Sequence, residues 1–211
     1  VSAQKYQNRL IQLGNNPKNI FLVGGLGASN IKNIKFTSKK KLEKKIKIKL
    51  REKNIFFIYH PETLEKKFGI IGLRNSLDVL SKLKDTLVIL SSSNADTNYQ
   101  KFDKLINNYC KKNDHFKKIP SMNHEIYLSC LKYMNAIVGN SSSGILEAPS
   151  LKIPTLNIGG RQDGRLRSKS IIDCSYDIQD IKKKLDTVIK LKNKKFFFKN
   201  PYDHGDSVKK I

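Results

Sequence analysis

Short apolar runs of strand length alternate with segments of helical spacing along most of this 211-residue chain. Several runs, such as residues 55–59, are apolar at every position, which is typical of strands buried on both faces. The predicted strands are residues 20–23, 55–59, 86–90, 116–119, 136–138, 155–158 and 170–173. The predicted helices are residues 4–13, 39–53, 76–84, 98–112, 125–133 and 178–191, and a further helix opens at residues 144–148. The alternation predicts an α/β fold in which a Rossmann-like parallel sheet carries helices on both faces.

Polar residues gather where the predicted strands end. In a parallel α/β sheet, ligands bind at the carboxyl ends of the strands. The residues at that edge are His60, the 91–96 loop with Asn94, the 121–123 loop with Met122, the 139–144 turn and the 159–167 segment. The sequence therefore predicts a single binding site along this edge of the sheet.

The 139–144 turn, Gly-Asn-Ser-Ser-Ser-Gly, lies between a predicted strand and a predicted helix. The small side chains of Ser141 and Ser142 leave backbone N–H groups accessible, and together with the helix dipole this arrangement suits a diphosphate. The alternative is a plain serine N-cap, which is common at helix starts. The turn matches neither the P-loop nor the dinucleotide-binding pattern.

Two charged residues come after the turn. Glu147 can accept hydrogen bonds from vicinal hydroxyls, as on a ribose, or it is a glutamate favoured by the helix dipole without any ligand. Arg161 comes after a predicted strand and two glycines, so its guanidinium can pair with a phosphate or form a salt bridge within the protein. Of only six arginines in the chain, three lie at 161, 165 and 167. A planar, forked cation is therefore expected to have a use there that lysine does not fill.

His60 directly follows a predicted buried strand and precedes a proline, which holds its ring at the edge of the sheet. It can donate to a phosphate or take part in proton transfer, and a structural histidine is the alternative. Asn94 can contact a base or sugar, or form an Asx turn. The sequence has no nucleophile elbow, no recognisable carboxylate pair and no metal-ligand cluster. We therefore expect nucleotide-like anion binding without a metal or another cofactor.

The formal net charge of +23 invites a different hypothesis, a basic nucleic-acid-binding module. The excess is nearly all lysine and is spread along the whole chain. Its densest run, residues 39–53, also carries Leu42, Ile46 and Leu50 at helical spacing, which is typical of an amphipathic helix with a solvated charged face. We expect the charge to reflect composition, with no nucleic-acid partner, and keep the module as an alternative.

The three cysteines, Cys110, Cys130 and Cys174, are widely separated and form no CxxC pair. This pattern predicts reduced, structural thiols in a cytoplasmic protein. No segment approaches the length of a membrane span, so no membrane partner is expected. Because the chain begins at Val1 without an initiator methionine, we expect it to be a fragment of a longer protein.

Several motifs together resemble the hydrolysing UDP-N-acetylglucosamine 2-epimerases of sialic-acid and related sugar pathways. They are Tyr-His-Pro-Glu-Thr at 59–63, Asn-Ala-Asp-Thr at 94–97, the 139–144 turn with Glu147, and Asn-Ile-Gly-Gly-Arg-Gln-Asp-Gly-Arg at 157–165. The similarity spans essentially the whole chain, in order. The serine-rich turn and the arginine segment are specific in combination, whereas either alone is not. Asn30 is a departure, because the family commonly has Asp at that place.

The resemblance implies one half of a two-domain, glycosyltransferase-B-type fold with the substrate between the halves. Residues 1–19 would be the end of the first domain and the connector, and residues 20–211 the nucleotide-binding domain. The family releases UDP by elimination through a glycal-like intermediate, and water addition then yields N-acetylmannosamine. Its proton-abstracting carboxylates lie in the first domain. The complete protein, expected to be a homo-oligomer, would be active and this chain alone nearly inactive, while a nucleotide-sugar glycosyltransferase domain is the alternative.

The resemblance also implies roles for individual residues. Ser141 and Ser142 would hold the diphosphate, and His60 and Arg161 would contact the phosphates. His60 is also the one catalytic candidate that this chain carries. The remaining nucleotide contacts would be Glu147 to the ribose hydroxyls, Asn94 to the nucleotide and the 121–122 loop, with Met122, to the uracil.

Overall fold

The computed structural model describes residues 1–62, 69–91, 99–192 and 198–211. Within them a parallel sheet has six strands in the order β3-β2-β1-β4-β5-β6. The strands are β1 Lys53–Ile58, β2 Thr86–Ser91, β3 Phe116–Ile119, β4 Ala136–Gly139, β5 Thr155–Ile158 and β6 Ile171–Cys174. The predicted Rossmann-like parallel sheet is confirmed.

The α-helices are α1 Gln4–Gln12, α2 Leu26–Asn30, α3 Lys39–Ile46, α4 Ile70–Ser81, α5 Tyr99–Lys112, α6 His124–Lys132, α7 Ser143–Leu146 and α8 Ile178–Leu191. Short 3₁₀ turns occupy Pro17–Asn19, Ile31–Asn33 and Val208–Lys210. Among the described residues, no helix has both the length and the apolar character needed to cross a membrane.

Successive side chains of β1 enter opposite core layers, as the two-residue period of a strand requires. Phe57 and Tyr59 belong to the layer that α4, α5 and α8 cover, whereas Phe56 and Ile58 belong to the layer that α3 and α6 cover. All four side chains are buried. Helices therefore lie on both faces of the sheet, as predicted, and the continuous apolar run of β1 results from this double burial.

The strand predicted at residues 20–23 is wrong. These residues form an extended segment outside the sheet, in which Val23 N–H donates to the carbonyl of Val1 at 3.0 Å. The amino group of Val1 in turn donates to the carbonyl of Phe21 at 2.6 Å. Phe21 is 67% exposed, so the apolar run does not mark a buried strand here.

The helix predicted at residues 39–53 ends early, at Ile46. Lys47 has a left-handed backbone with φ 55°, which turns the chain away from the helix axis. The carboxylate of Glu43 then accepts a hydrogen bond from the N–H of Leu50 at 2.9 Å, and Leu50 is buried. The helical spacing of Leu42, Ile46 and Leu50 thus arises from a short helix and a returning loop after it.

Two further helices differ from the prediction because glycines weaken the helical pattern of their sequences. Helix α4 begins at Ile70, six residues before its predicted start, and α2 was not predicted at all. Each of these stretches contains glycines, which weaken the helical signal of a sequence. Gly72 lies inside α4, and the packing there requires glycine because a Cβ would come within 2.5 Å of the Tyr59 hydroxyl.

The strand order places a topological switch point between β1 and β4. From β1 the chain proceeds to β2 and β3 on one side, and from β4 it proceeds to β5 and β6 on the other. Connections that diverge in this way leave a crevice at the carboxyl ends of the two central strands. The site is therefore expected where β1 ends near His60 and β4 ends near Asn140.

Candidate functional site

His60 and Asn140 face each other across the switch point. The Oδ1 atom of Asn140 accepts a hydrogen bond from the backbone N–H of His60 at 2.7 Å, and its Nδ2 atom donates to the carbonyl of His60 at 2.9 Å. Both residues are buried. Asn140 thus replaces the strand pairing that ends at Gly139 and fixes the backbone of His60 at the bottom of the crevice.

The backbone of Asn140 also holds the segment after β5. Its carbonyl accepts hydrogen bonds from a guanidinium nitrogen of Arg161 at 3.3 Å and from the side-chain amide of Gln162 at 2.8 Å. Asn140 therefore joins the ends of β1, β4 and β5, a role that the sequence did not predict. Its position directly after the glycine that ends a buried strand was the available signal.

Gly139 allows β4 to approach β1 at this point. Its φ is +134°, and an added Cβ would lie only 1.8 Å from the carbonyl oxygen of Ile58. No side chain fits there, because the colliding atom belongs to the neighbouring strand's backbone. The glycine thereby brings Asn140 within hydrogen-bonding distance of His60.

Ser141 and Ser142 lead from the crevice into α7. In the described part of the chain, their backbone N–H groups have no hydrogen-bond acceptor. The hydroxyl of Ser142, at the N-cap position, makes no capping hydrogen bond, whereas the hydroxyl of Ser141 accepts one from the N–H of Ser143 at 3.4 Å. Because α7 has only four residues, its dipole is weaker than the predicted helix would provide. The backbone N–H groups of Ser141 and Ser142 can therefore bind an anion.

Glu147 lies at the end of α7, not on the first turns of a longer helix as predicted. Helix dipoles disfavour a carboxylate at this end, so the dipole does not account for Glu147. Its Oε2 atom accepts a hydrogen bond from the Ser143 hydroxyl at 2.6 Å, and Ser143 also contacts the hydroxyl of Tyr127. The Nε2 atom of His124 is 3.5 Å from Oε1. The carboxylate is thus held in one orientation by neutral and basic neighbours.

The three arginines of the 161–167 segment have different environments. Arg161 is exposed and reaches back to the carbonyl of Asn140. Arg165 lines a cavity of about 660 Å³ with residues of the N-terminal segment, including Tyr6. Arg167 donates to the carbonyls of Gln162 and Arg165 at 2.8 and 2.7 Å and pairs with a carboxylate of β6. Arg167 therefore shapes the loop, and Arg161 is the arginine presented beside the crevice.

The two remaining predicted site residues lie apart from these contacts or outside the described residues. Met122 is partly buried between β3 and α6 and lines an open cavity of about 420 Å³ with Lys45, Lys47 and Asn123. Asn94 lies outside the described residues. The structure thus places His60, Ser141, Ser142, Glu147 and Arg161 along the carboxyl edge between β1 and β5.

The described residues contain no group of three or more His, Cys, Asp or Glu side chains that could hold a metal ion. Burial raises the pKa of Cys130 and Cys174 to about 12 and also raises the pKa of Cys110, so these free thiols stay protonated at neutral pH. What the edge offers is mainly hydrogen-bond donors and the exposed guanidinium of Arg161, with the Glu147 carboxylate at one end. This set suits a phosphorylated ligand that also carries hydroxyl groups.

Comparison with known proteins identifies the family of the chain and relatives of its fold. A protein-family model described as UDP-N-acetylglucosamine 2-epimerase matches residues 1–211. The chain is 41% identical over 197 residues to a hydrolysing GDP/UDP-N,N'-diacetylbacillosamine 2-epimerase of Campylobacter jejuni, covering 93% of this chain and 50% of that protein. It is 38% identical over 174 residues to the polysialic acid biosynthesis protein P7 of Escherichia coli, covering 82% of this chain and 44% of that protein.

Among solved structures, the UDP-GlcNAc 2-epimerase of Neisseria meningitidis bound to UDP-GlcNAc superposes with a TM-score of 0.81 at 17% identity. The match covers 99% of this chain and 58% of that one, and at this identity it establishes the fold. The chain therefore spans about half the length of the relatives it matches. With the family model matching its full length, the chain belongs to the UDP-N-acetylglucosamine 2-epimerase family.

Proposed function

We propose that this chain is the nucleotide-binding half of a hydrolysing UDP-sugar 2-epimerase. The observation that carries the proposal is the switch-point crevice, where Ser141 and Ser142, whose N–H groups have no acceptor among the described residues, lie beside Arg161 in a chain of this family. Backbone N–H groups and a guanidinium are the donors that a diphosphate requires. The family match favours the epimerase over a glycosyltransferase domain.

We propose a role for each predicted site residue. Ser141 and Ser142 hold the diphosphate through their N–H groups, and Arg161 and His60 contact its oxygens. Glu147 accepts hydrogen bonds from the ribose hydroxyls, because Ser143 fixes its carboxylate and leaves acceptor capacity on both oxygens. Met122 borders the uracil, and Asn94 contacts the nucleotide.

The reaction we propose for the complete protein is elimination and then hydration. A base removes the C2 proton of the sugar, the C1–O bond breaks with its electron pair leaving on UDP, and water adds to the glycal-like intermediate. The proposed substrate is UDP-N-acetylglucosamine and the products are N-acetylmannosamine and UDP. This chain binds and stabilises the leaving UDP, while the base belongs to the half that it does not include.

We also propose that residues 1–19 belong to the connector and first domain, and residues 20–211 to the nucleotide-binding domain. Apolar side chains exposed at this end, Leu13 at 78% and Phe21 at 67%, suit contact with a first domain on both sides of the proposed boundary. The free cysteines fit a cytoplasmic protein, and we propose a homo-oligomer without nucleic-acid or membrane partners. Light scattering of the complete protein tests the oligomer.

Isothermal titration of the 211-residue chain with UDP tests the binding proposal. We expect saturable UDP binding, weakened about tenfold or more by Arg161→Ala or by Glu147→Ala, since each removes a charged hydrogen-bonding partner. Arg74→Ala, which removes an exposed arginine from α4, is the matched control and leaves the affinity unchanged. A folded sample that binds no UDP would refute the proposal.

Product analysis of the complete protein tests the chemistry. Incubation with UDP-N-acetylglucosamine in the absence of an acceptor should release N-acetylmannosamine and UDP together. UDP-N,N'-diacetylbacillosamine serves as the parallel substrate, because the Campylobacter jejuni relative is named for that sugar. Release of UDP that depends on an added acceptor would indicate a transferase instead.

A further inference from the structure

A buried carboxylate lies directly beneath the proposed diphosphate site. Glu62 is 5% exposed and lies two residues after His60. Its Oε2 atom accepts a hydrogen bond from the hydroxyl of Tyr176 at 2.9 Å. Its Oε1 atom accepts one from Nδ2 of Asn140 at 3.1 Å and a longer one from the hydroxyl of Tyr59 at 3.4 Å. A buried charge is tolerated only when it is paired or hydrogen-bonded in this way.

The donors to Glu62 come from distant parts of the chain. Tyr176 lies between β6 and α8, Asn140 comes directly after β4, and Tyr59 comes directly after β1. Asn140 in turn holds the backbone of His60 and accepts hydrogen bonds from Arg161 and Gln162. The residues at the centre of the proposed diphosphate site are therefore one or two contacts away from the Glu62 carboxylate.

Close packing leaves Tyr176 little freedom to move. A Cβ on Gly159, at the end of β5, would come within 2.5 Å of the Tyr176 ring, and a Cβ on Gly72 of α4 would come within 2.4 Å. The backbone carbonyl of Tyr176 also accepts a hydrogen bond from Asn75 of α4 at 2.7 Å. The phenol is thus fixed between α4 and the β5 loop, so its hydroxyl defines where the Glu62 carboxylate lies.

We propose that Glu62 is a positioning residue for the diphosphate: its carboxylate joins the ends of β1, β4 and β6 and thereby sets the distance between His60, the 140–142 backbone and Arg161. The inference rests on the proposed function. Glutamine has the shape of glutamate but replaces one acceptor oxygen by an NH₂ group. In Glu62→Gln the NH₂ group faces either Asn140, whose Nδ2 then loses its acceptor, or Tyr176, whose hydroxyl must then accept instead of donate, and either change alters the spacing of the two sides of the crevice.

The effect should concern the second phosphate and spare the nucleoside. The residues proposed for the ribose and base are Glu147, at the end of α7, and Met122, in the β3–α6 loop. Glu147 is oriented by the Ser143 hydroxyl rather than by the cluster around Glu62. A loss of general stability would weaken UDP and UMP binding alike. The ratio of UDP affinity to UMP affinity therefore separates positioning of the diphosphate from a merely structural role.

The experiment titrates UDP and UMP into the 211-residue chain and three variants. Glu62→Gln should lower the ratio of UDP to UMP affinity about tenfold, and Tyr176→Phe, which removes one donor, should lower it about threefold. Tyr109→Phe is the matched control, since Tyr109 also donates its hydroxyl to a carboxylate, that of Asp78 between α5 and α4. It should leave the ratio unchanged even where it lowers the melting temperature.

The outcomes distinguish this inference from the proposed function. If the unmodified chain binds UDP but the ratio stays the same in Glu62→Gln and Tyr176→Phe, the positioning role is refuted and nucleotide binding stands. If the folded, unmodified chain does not bind UDP, both are refuted. Should Glu62→Gln fail to fold, Tyr176→Phe alone decides, because its backbone and ring are retained and only one hydroxyl is lost.

Discussion

Asparagine side chains hold neighbouring backbone at both edges of the sheet, but only at the carboxyl edge is that backbone part of the proposed binding site. At the amino edge, Asn54 accepts from the N–H of Arg51 at 2.9 Å and donates to the carbonyl of Arg51 at 2.9 Å, while Asn135 pairs with the backbone of Asn54. At the carboxyl edge, Asn140 braces His60 in a similar way. Within the described part of the chain, these asparagines at the amino edge form hydrogen bonds only to neighbouring protein backbone. At the carboxyl edge, the chain directly after Asn140 presents the N–H groups of Ser141 and Ser142.

Whether such a brace becomes part of a site depends on the chain segment that comes after it. After Asn135 the chain enters β4, which is buried at every position, whereas after Asn140 it leaves the sheet through three small serines. Small residues keep the backbone accessible to a ligand, and the crevice at the switch point provides the space. Variants that compare the two edges should therefore separate stability from binding.

The largest effect is expected from Gly139→Ala. Its Cβ would lie 1.8 Å from the carbonyl oxygen of Ile58, so β4 and β1 would have to separate. We expect a loss of about 3 kcal/mol or more in the free energy of unfolding, measured by urea denaturation. The control is Gly14→Ala, where φ is +85° but no atom lies within 4 Å, and about 1 kcal/mol is expected. Equal losses would show that the close approach is relaxed in solution.

The next effect compares the two braces directly. Asn140→Ala should cost about 2 kcal/mol of stability, because it removes both hydrogen bonds to the buried backbone of His60, and Asn54→Ala about 1 kcal/mol, because it removes two hydrogen bonds to the backbone of the exposed Arg51. Only Asn140→Ala should also weaken UDP binding, by about tenfold, since it frees the backbone of His60 and the start of the serine turn. Urea denaturation and calorimetric titration of the same samples measure both quantities. A comparable loss of UDP affinity in Asn54→Ala would contradict the separation of the edges.

An ion pair at each edge gives a smaller contrast. Arg167, whose side chain is 20% exposed, donates to Asp173 at 3.1 Å and to two carbonyls of the loop that carries Arg161. Arg167→Ala should cost about 1 to 2 kcal/mol and weaken UDP binding several-fold, because that loop loses its internal hydrogen bonds. At the amino edge Lys53 and Asp85 are paired at 2.6 Å but are more than half exposed.

Lys53→Ala is therefore the control for Arg167→Ala. Solvent and salt screen an exposed pair, and holding two long side chains in one geometry costs conformational entropy. Neither stability nor UDP affinity should change measurably. A loss of affinity in Lys53→Ala equal to that in Arg167→Ala would mean that net positive charge, rather than the loop, controls binding.

The apolar pattern predicted most of the sheet because its strands are buried on both faces. The bounds of β3, β5 and α8 match the prediction residue for residue. The strand prediction for residues 20–23 was wrong because an apolar run does not indicate whether the segment joins the sheet. The start of α4 was not predicted because Gly72 weakens the helical pattern there. Glycine is required at that position because a Cβ would collide with the side chains of Tyr59 and Tyr176. Tyr176 is distant in sequence from α4, and no local pattern reveals such a contact.

The candidate site was predictable to the extent that strand ends in a parallel sheet fall on one edge. His60, Ser141 and Arg161 are placed there, while their roles stay predictions. The length of α7 was misjudged, because Pro149 and the turns after Leu146 end a helix that the sequence pattern continues. Asn140 was overlooked because its function lies in bracing a backbone 80 residues away. Braces of this kind depend on the strand order, which the pattern of apolar runs does not specify.

The weakest effect is expected from a change of pH and involves the histidine of the amino edge. His115, which precedes β3, is buried and packs its ring on Phe116 at 4.8 Å. Burial is the largest cause that lowers the pKa of His115 below its usual value of 6.5; the charges of Lys84 and Arg51 add to it, and the Leu80 carbonyl and Asp114 oppose it. The unfolded chain therefore binds this proton more readily than the folded one.

Stability should consequently fall as the pH decreases from 7 through the usual histidine range, because protonation of His115 favours the unfolded chain. His115→Gln removes this titration and keeps a polar side chain at the site. Urea denaturation at about pH 7.5 and about pH 5.5, on either side of the usual histidine pKa, should show a smaller decrease in His115→Gln than in the unmodified chain, since all other titrating groups are shared. An equal decrease in both would place the acid sensitivity in a group other than His115.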